Sequence, residues 1–259
     1  MCARCLYKVK MRAEKIALVL HGWPPVSGDH MIHSFLRSRG YKVIAPNLFI
    51  LPDKFNLSSI KECLISLLDG SIPDLIIGIS LGGLIVPYIA EKFPRTRLVF
   101  IATGPFFKPS SLLFKFIVLL FKTLPARLLL ALFLKLPENW SFAIFKNVYG
   151  LVCPRKTKIV SSDYYNQDVI RNFKELTKIP IKKELEALDF ARSYNNCSVL
   201  QKLPNESLVF SGEHDDLMPL YLGKYLNQLL PNSRLIITSG SHYNVFTKDN
   251  LTDIGLFLS

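Results

Sequence analysis

A serine hydroxyl is a poor nucleophile at neutral pH. It needs a base, usually histidine, and the histidine needs a carboxylate to orient it. Three residues of this chain could fill those roles in chain order: Ser80, Asp215 and His242. Ser80 sits in Gly78-Ile79-Ser80-Leu81-Gly82, a G-x-S-x-G pattern. Such a pattern carries chemistry when a strand precedes it and a helix follows, because the sharp corner lifts the hydroxyl out of the sheet. Both flanks are present. Leu75 to Ile77 is a short apolar run of buried-strand type, and Leu84 to Ala90 is an apolar helical stretch that stops near Phe93-Pro94. The corner also puts Ser80 at a helix N-terminus, where the free N–H of Leu81 and the helix dipole favour a developing negative charge.

Strands and helices alternate around this corner. Ile16–Leu20 reads as a buried strand running into His21-Gly22-Trp23-Pro24-Pro25. A helix follows from about Asp29 to Ser38, then a strand from Tyr41 to Pro46, then a helix from about Ser58 to Leu68. Leu98–Ile101 is the next strand. The rhythm then stops and resumes at Leu208–Phe210, with a helix from Pro219 to Leu230, a strand at Leu235–Ile237 and a helix from Asp249 to Phe257. This alternation predicts an α/β fold: a mainly parallel central sheet with helices on both faces. Asp215 and His242 each fall just past a strand's C-terminal end, the edge of a parallel sheet where sites assemble.

Between the two halves lies a long insertion. Residues 1–105 and 204–259 read as the core domain, and 106–203 as a helical cap. Ser111–Lys135 is leucine-rich and strongly apolar, but charged residues and Pro125 interrupt it before the ~18 uncharged residues of a membrane span. Lys115 and Lys122 share a face at seven-residue spacing, which predicts two amphipathic helices hinged at Pro125. Further helices are expected near Ser141–Val148, Asp168–Thr177 and Lys182–Ser193.

The 259 residues carry a formal net charge of +12, and the insertion holds most of that surplus. The basic residues form no run with interleaved aromatics, so no nucleic-acid partner is expected. A solvated basic surface with weak affinity for anionic membrane fits better. Five cysteines in no framework spacing suit a reducing, cytoplasmic setting, and Cys2-x-x-Cys5 has no second pair to make a metal or redox site. No metal-binding spacing occurs, and neither metal nor cofactor is expected. No signal-peptide core is seen, and Met11 is an alternative start to Met1.

With His21-Gly22-Trp23, Gly78-Ile79-Ser80-Leu81-Gly82, Gly212-Glu213-His214-Asp215 with Pro219, and Gly240-Ser241-His242, the chain resembles the α/β-hydrolase family. The likeness covers nearly all of the chain outside the insertion, which stands where many members carry a helical cap. It implies Ser80 as nucleophile, Asp215 as orienting acid and His242 as base. It also implies an oxyanion hole from the backbone N–H groups of Trp23 and Leu81, and a structural role for His21 bracing that loop. Glu213 and Asp216 are the rivals for the acid, and His214 for the base. His30 and His33 are expected to be solvated on a surface helix. Where many members carry an Asp-x-Arg-Gly-type segment, this chain has Pro46-Asn47-Leu48-Phe49. Phe106, Phe107 and Trp140 are core residues or the lining of an acyl pocket.

The activity this implies is hydrolysis of short or medium acyl esters or lactones, acyl-homoserine lactones included, through an acyl-enzyme. The alternatives are a lyase or perhydrolase using the same triad, or a non-catalytic ligand-binding member. Peptidase activity would need an insertion carboxylate to hold a substrate amine, for which Glu138 and Glu184 are the candidates.

Overall fold

The computed structural model describes residues 14–25, 31–51, 53–110, 135–152, 162–242 and 244–259, with six further positions between 111 and 134. The two-helix reading of Ser111–Lys135 falls largely outside these residues, as do His30, Cys2, Cys5 and the alternative start at Met11.

Six strands form one sheet: β1 (Lys15–Leu20), β2 (Tyr41–Ile44), β3 (Leu75–Ile79), β4 (Arg97–Ile101), β5 (Ser207–Gly212) and β6 (Ser233–Thr238). Their order is β2-β1-β3-β4-β5-β6, and every neighbouring pair is parallel. Helices α1 (Met31–Ser38), α2 (Leu57–Leu67) and α3 (Leu81–Ala90) fill the first half. Between β4 and β5 lie α4 (Glu138–Val152), α5 (Ser162–Thr177), α6 (Ile181–Ser193) and the short α7 (Cys197–Leu200). Helices α8 (Leu220–Leu229) and α9 (Asn250–Phe257) complete the chain. The described residues of 106–203 supply no strand to the sheet, only an isolated antiparallel bridge between Phe106 and Asn195.

Each central strand is apolar throughout because both of its faces are covered. Successive side chains alternate between two cores. Leu18, Leu20, Ile76, Leu98, Phe100 and Val209 pack with α2, α3, α6 and α8. Ala17, Val19, Ile77, Val99, Leu208 and Phe210 pack with α1 and α9. Full burial of one such side chain is worth about 1.5–3 kcal/mol. Helix α3 carries the strand-to-helix corner and is buried at every residue but Tyr88, which explains why its sequence shows no polar face. Helix α1 has a sided pattern, with Ile32, His33 and Leu36 buried. His33 is thus on the core side of α1 rather than solvated; its place next to Ile32 puts it on the inner stripe.

Buried amides tie the halves together. Asn205, on the approach to β5, is 1% exposed and donates from Nδ2 to the carbonyls of Phe93 (2.8 Å) and Thr96 (2.7 Å) between α3 and β4. Asn196, fully buried, donates to the Leu84 carbonyl inside α3 (2.8 Å), which anchors the end of the insertion to the corner helix. Asn205→Ala takes this donor from the Thr96 carbonyl and leaves the Phe93 carbonyl with Thr96 N–H alone, at a cost of about 1–3 kcal/mol. We expect its melting temperature to fall by roughly 2–4 °C per kcal/mol in a calorimetric scan, with β3 and the Ser80 corner intact.

Candidate active site

Ser80 occupies the turn between β3 and α3 with φ 49° and ψ −112°, a backbone region that non-glycine residues rarely enter. The corner is held from three sides. Ser80 N–H donates to the Ile101 carbonyl on β4 (2.9 Å), and the Ser80 carbonyl accepts from Gly83 N–H (3.0 Å) and the Thr103 hydroxyl (2.9 Å). The pattern glycines are steric requirements. A Cβ on Gly78 would stand 2.6 Å from the Gly83 Cα, and one on Gly82 would strike the Leu20 carbonyl of β1. The turn can be this tight only because neither residue has a side chain.

The Ser80 hydroxyl reaches His242 Nε2 at 2.9 Å. His242 Nδ1 in turn lies 2.8 Å from Asp215 Oδ2. With Asp215 as a carboxylate, Nδ1–H donates to it and Nε2 accepts from Ser80. Asp215 follows β5, and its other oxygen accepts from the N–H groups of Leu217 (2.9 Å) and Met218 (2.7 Å). The Asp215 side chain is fully buried and that of His242 is 5% exposed. The rivals do not share this placement. Glu213, His214 and Asp216 are all exposed, and Asp216 accepts from the Ser110 hydroxyl at 2.9 Å instead. The strand ends therefore bring Ser80, His242 and Asp215 together and leave their neighbours outside.

The loop after β1 stands beside the corner. A Cβ on Gly22 would lie 3.1 Å from Ser80 Cβ, so this glycine is what lets the loop approach. Among the described residues, no hydrogen bond takes the backbone N–H of Trp23 or of Leu81. Two unengaged donors near a serine hydroxyl are what an oxyanion requires. His21 fixes the loop: its Nδ1–H donates to the Gly22 carbonyl (2.6 Å), and its Nε2 accepts from Leu48 N–H (2.8 Å). Phe49 stacks on the His21 ring at 5.8 Å and packs against Trp23 at 6.3 Å. The Pro46–Phe49 segment, which departs from the family pattern, is thus the clamp on this loop. Burial lowers the His21 pKa from 6.5 to about 4, so the ring is neutral and its tautomer is set by its two bonds.

A second ionisable group belongs to this neighbourhood. Glu184 on α6 is 1% exposed, and burial raises its pKa from 4.5 to about 8, against a smaller opposing pull from the Trp23 indole N–H. Trp23 Nε1 and Glu184 Oε1 are both sealed from water and neither makes a full hydrogen bond, so their contact is a weak one. A carboxyl that is neutral at pH 7 is poorly suited to hold a substrate ammonium. Glu138 is exposed at the start of α4. Of the aromatic candidates, Phe106 and Phe107 are half-buried against the main core, whereas Trp140 is 64% exposed. The sequence gives no signal for the Glu184–Trp23 pairing, since their 161-residue separation is closed only by the fold. A cleft of about 570 Å³ lined by Arg97, Glu206 and Arg234 opens at the opposite, N-terminal end of the strands, away from Ser80.

Comparison with known proteins agrees with this architecture. The family model for the alpha/beta hydrolase fold matches residues 55–249. No curated protein matches the chain. Among solved structures, a bromoperoxidase from Bacillus anthracis superposes with a TM-score of 0.70 at 19% identity, covering 94% of this chain and 91% of that one. An esterase from Exiguobacterium antarcticum gives 0.67 at 12% identity (94% and 91% covered). An enol-lactonase from Burkholderia xenovorans gives 0.63 at 13% identity (94% and 88% covered).

The two neutral groups beside Trp23 pull stability in opposite directions with pH. An unfolded His21 binds a proton that the folded chain refuses, so stability falls as pH drops from about 6.5 to about 4, by up to about 3 kcal/mol. Folded Glu184 keeps a proton that the unfolded chain releases, so stability falls as pH rises from about 4.5 through about 8. In urea unfolding at pH 4.5, 6 and 9, His21→Gln should flatten the acid side and Glu184→Gln the alkaline side. Glu184→Gln should exceed the parent in stability at pH 9. Parallel pH profiles for all three proteins would contradict both assignments.

Proposed function

The chain belongs to the α/β-hydrolase family, and on that premise we propose that it is a serine hydrolase of carboxylic esters, lactones included. One observation carries the reading: the unbroken hydrogen-bonded series from Ser80 through His242 to a buried Asp215, beside two unengaged N–H donors. In this reading Ser80 Oγ attacks the ester carbonyl carbon while His242 Nε2 takes its proton. The imidazolium so formed keeps its Nδ1–H on the Asp215 carboxylate, which stabilises the charge and holds the ring's orientation. The oxyanion is received by the N–H groups of Trp23 and Leu81. The tetrahedral adduct collapses, the C–O bond to the leaving alcohol breaks, and His242 returns the proton to that oxygen. Water, deprotonated by His242, then cleaves the acyl-enzyme and releases the acid with Ser80 restored.

Residues 106–203 act here as the cap over the serine. Phe106 and Phe107, partly buried against the core in the segment after β4, suit an apolar acyl group. A lactone is an ester whose alcohol remains tethered, so the same steps open its ring. Hydrogen peroxide in place of water would yield a peracid from the same acyl-enzyme. Hydrolysis is the reading adopted, because water is the acceptor always at hand.

Ser80→Ala should lower ester turnover by ~10⁴–10⁶ and abolish labelling by a fluorophosphonate probe. Asp215→Asn should retain more activity than Ser80→Ala, since the base remains but loses its orientation. Wild-type turnover that survives in Ser80→Ala would remove the serine from the mechanism. Across p-nitrophenyl esters from acetate to decanoate, kcat/KM should climb to hexanoate or octanoate by at most about fourfold per added CH₂, then drop. A series that falls from acetate onward would place the acyl chain outside an apolar pocket. A parallel panel of lactones ranks ring opening against linear esters.

A further inference from the structure

The insertion carries a surface that the ester chemistry does not use. Leu112 is 82% exposed, and Leu119, Leu128 and Leu132 are between 57% and 59% exposed, all in helical conformation. Trp140 and Ile144, one turn apart on α4, are 64% and 46% exposed. In the sequence Leu112 and Leu119 lie seven apart with exposed Lys115 between them, and Leu128 and Leu132 lie four apart. Beyond this stretch the most exposed apolar side chains among the described residues, Ile50, Ile72 and Leu256, stand far apart in the sequence, whereas these six lie between 112 and 144, and such a run calls for a covering partner. Charge indicates which. From residue 111 to 160 the sequence has eight Lys and Arg and a single acidic residue, Glu138. Exposed leucines and a tryptophan interspersed with lysines suit an anionic lipid surface, where the side chains enter the headgroup boundary and the ammonium groups meet phosphates. A protein partner of ordinary interface composition would match the leucines but not the lysines, which interfaces deplete. No helix among the described residues is long and apolar enough to cross a membrane, so this contact would lie on the bilayer rather than through it.

We propose that the exposed leucines at 112, 119, 128 and 132, with Trp140, Ile144 and the exposed Lys115 and Lys135, dock the protein on anionic lipid bilayers. This goes beyond the ester-hydrolase reading and stands apart from it, since binding needs no turnover. It would place an apolar-substrate enzyme where apolar substrates concentrate.

The test is co-sedimentation of the full chain with vesicles of phosphatidylcholine, with and without 30% phosphatidylglycerol. Binding is expected on the anionic vesicles and at least tenfold weaker on pure phosphatidylcholine or in 0.5 M NaCl. Each lysine at the surface is worth about fivefold, so Lys115→Gln with Lys135→Gln should weaken binding roughly 25-fold. A quadruple Leu→Ser variant at 112, 119, 128 and 132 should lose binding at an unchanged melting temperature. If that variant does not fold, the lysine pair alone decides, because it leaves the leucines in place. A tryptophan emission shift to shorter wavelength on adding anionic vesicles, absent in Trp140→Phe, would support the same face. No binding to anionic vesicles overturns the proposal. So does binding indifferent to lipid charge and to the lysines. So does self-association, seen by light scattering, that the Leu→Ser variant disperses while no vesicle binds.

Discussion

The Ser80 corner is the constraint to which the rest of the structure answers. A residue with a side chain held at φ 49° and ψ −112° costs of order 1–3 kcal/mol and persists only if its surroundings leave no alternative. Here they leave none. The Ile101 carbonyl holds the Ser80 N–H, while Gly83 and Thr103 hold its carbonyl. The β1 backbone lies where any side chain on Gly82 would go, and Gly22 closes from the other side. Three adjacent strands, β1, β3 and β4, must therefore be in register before Ser80 can take this conformation. The central sheet and the fully buried α3 provide that register, and strain at one residue is held by the burial of many.

The electrostatic design around the corner keeps most of its groups uncharged. Asp215 is the buried carboxylate, and it is satisfied by two backbone N–H groups and the His242 ring. His21, on the far side of the loop, is neutral because burial makes its cation too costly. Glu184 is neutral for the corresponding reason with the opposite sign of charge. In the proposed reaction, a proton passed from Ser80 to His242 would create its positive charge beside the Asp215 carboxylate, with no competing cation at His21 and no second anion at Glu184. Both neutral groups also touch the loop that carries Trp23, His21 through the Gly22 carbonyl and Glu184 through the indole. The loop is thus held by contacts that do not perturb the charge that develops beside it.

The fold was legible because burial on two faces writes itself into the chain as apolar runs. Ile16–Leu20, Leu75–Ile77 and Leu208–Phe210 all lie inside observed strands β1, β3 and β5. The edge strand β6 extends to Ser233–Thr238, beyond its apolar centre, since polar residues suffice where one edge lies open. Within the insertion, α6 begins one residue before its expected start, whereas α4 and α5 are longer at both ends or at the N-terminal end than their apolar content suggested. There the amphipathic signal fades before the helix does. Short α7 has too few residues for any period to show. His33 was misplaced because a histidine on a short helix says nothing about which face it shares until Ile32 and Leu36 are seen to point inward.

The site shows the same division more sharply. Ser80, Asp215 and His242 could be named because each sits at a strand end, and parallel topology brings strand ends to one edge. Asp215 stands apart from Glu213 and Asp216 through its burial and its hydrogen bonds to His242, Leu217 and Met218, none of which sequence offset shows. The clamp at Asn47–Phe49 and the carboxyl of Glu184 left no comparable trace. Their function depends on contacts made across 27 and 161 residues with a loop they do not adjoin, and on a water-free environment that exists only once the core has closed. This sets where variation can enter. The corner tolerates little change, since a side chain on Gly78 or Gly82 would strike backbone and one on Gly83 would strike Thr103. The clamp and the insertion meet the Trp23 loop through side chains, which can be exchanged one at a time. The Ser80 corner is therefore held by the sheet, whereas the setting of the Trp23 loop is open to adjustment from the segment after β2 and from α6.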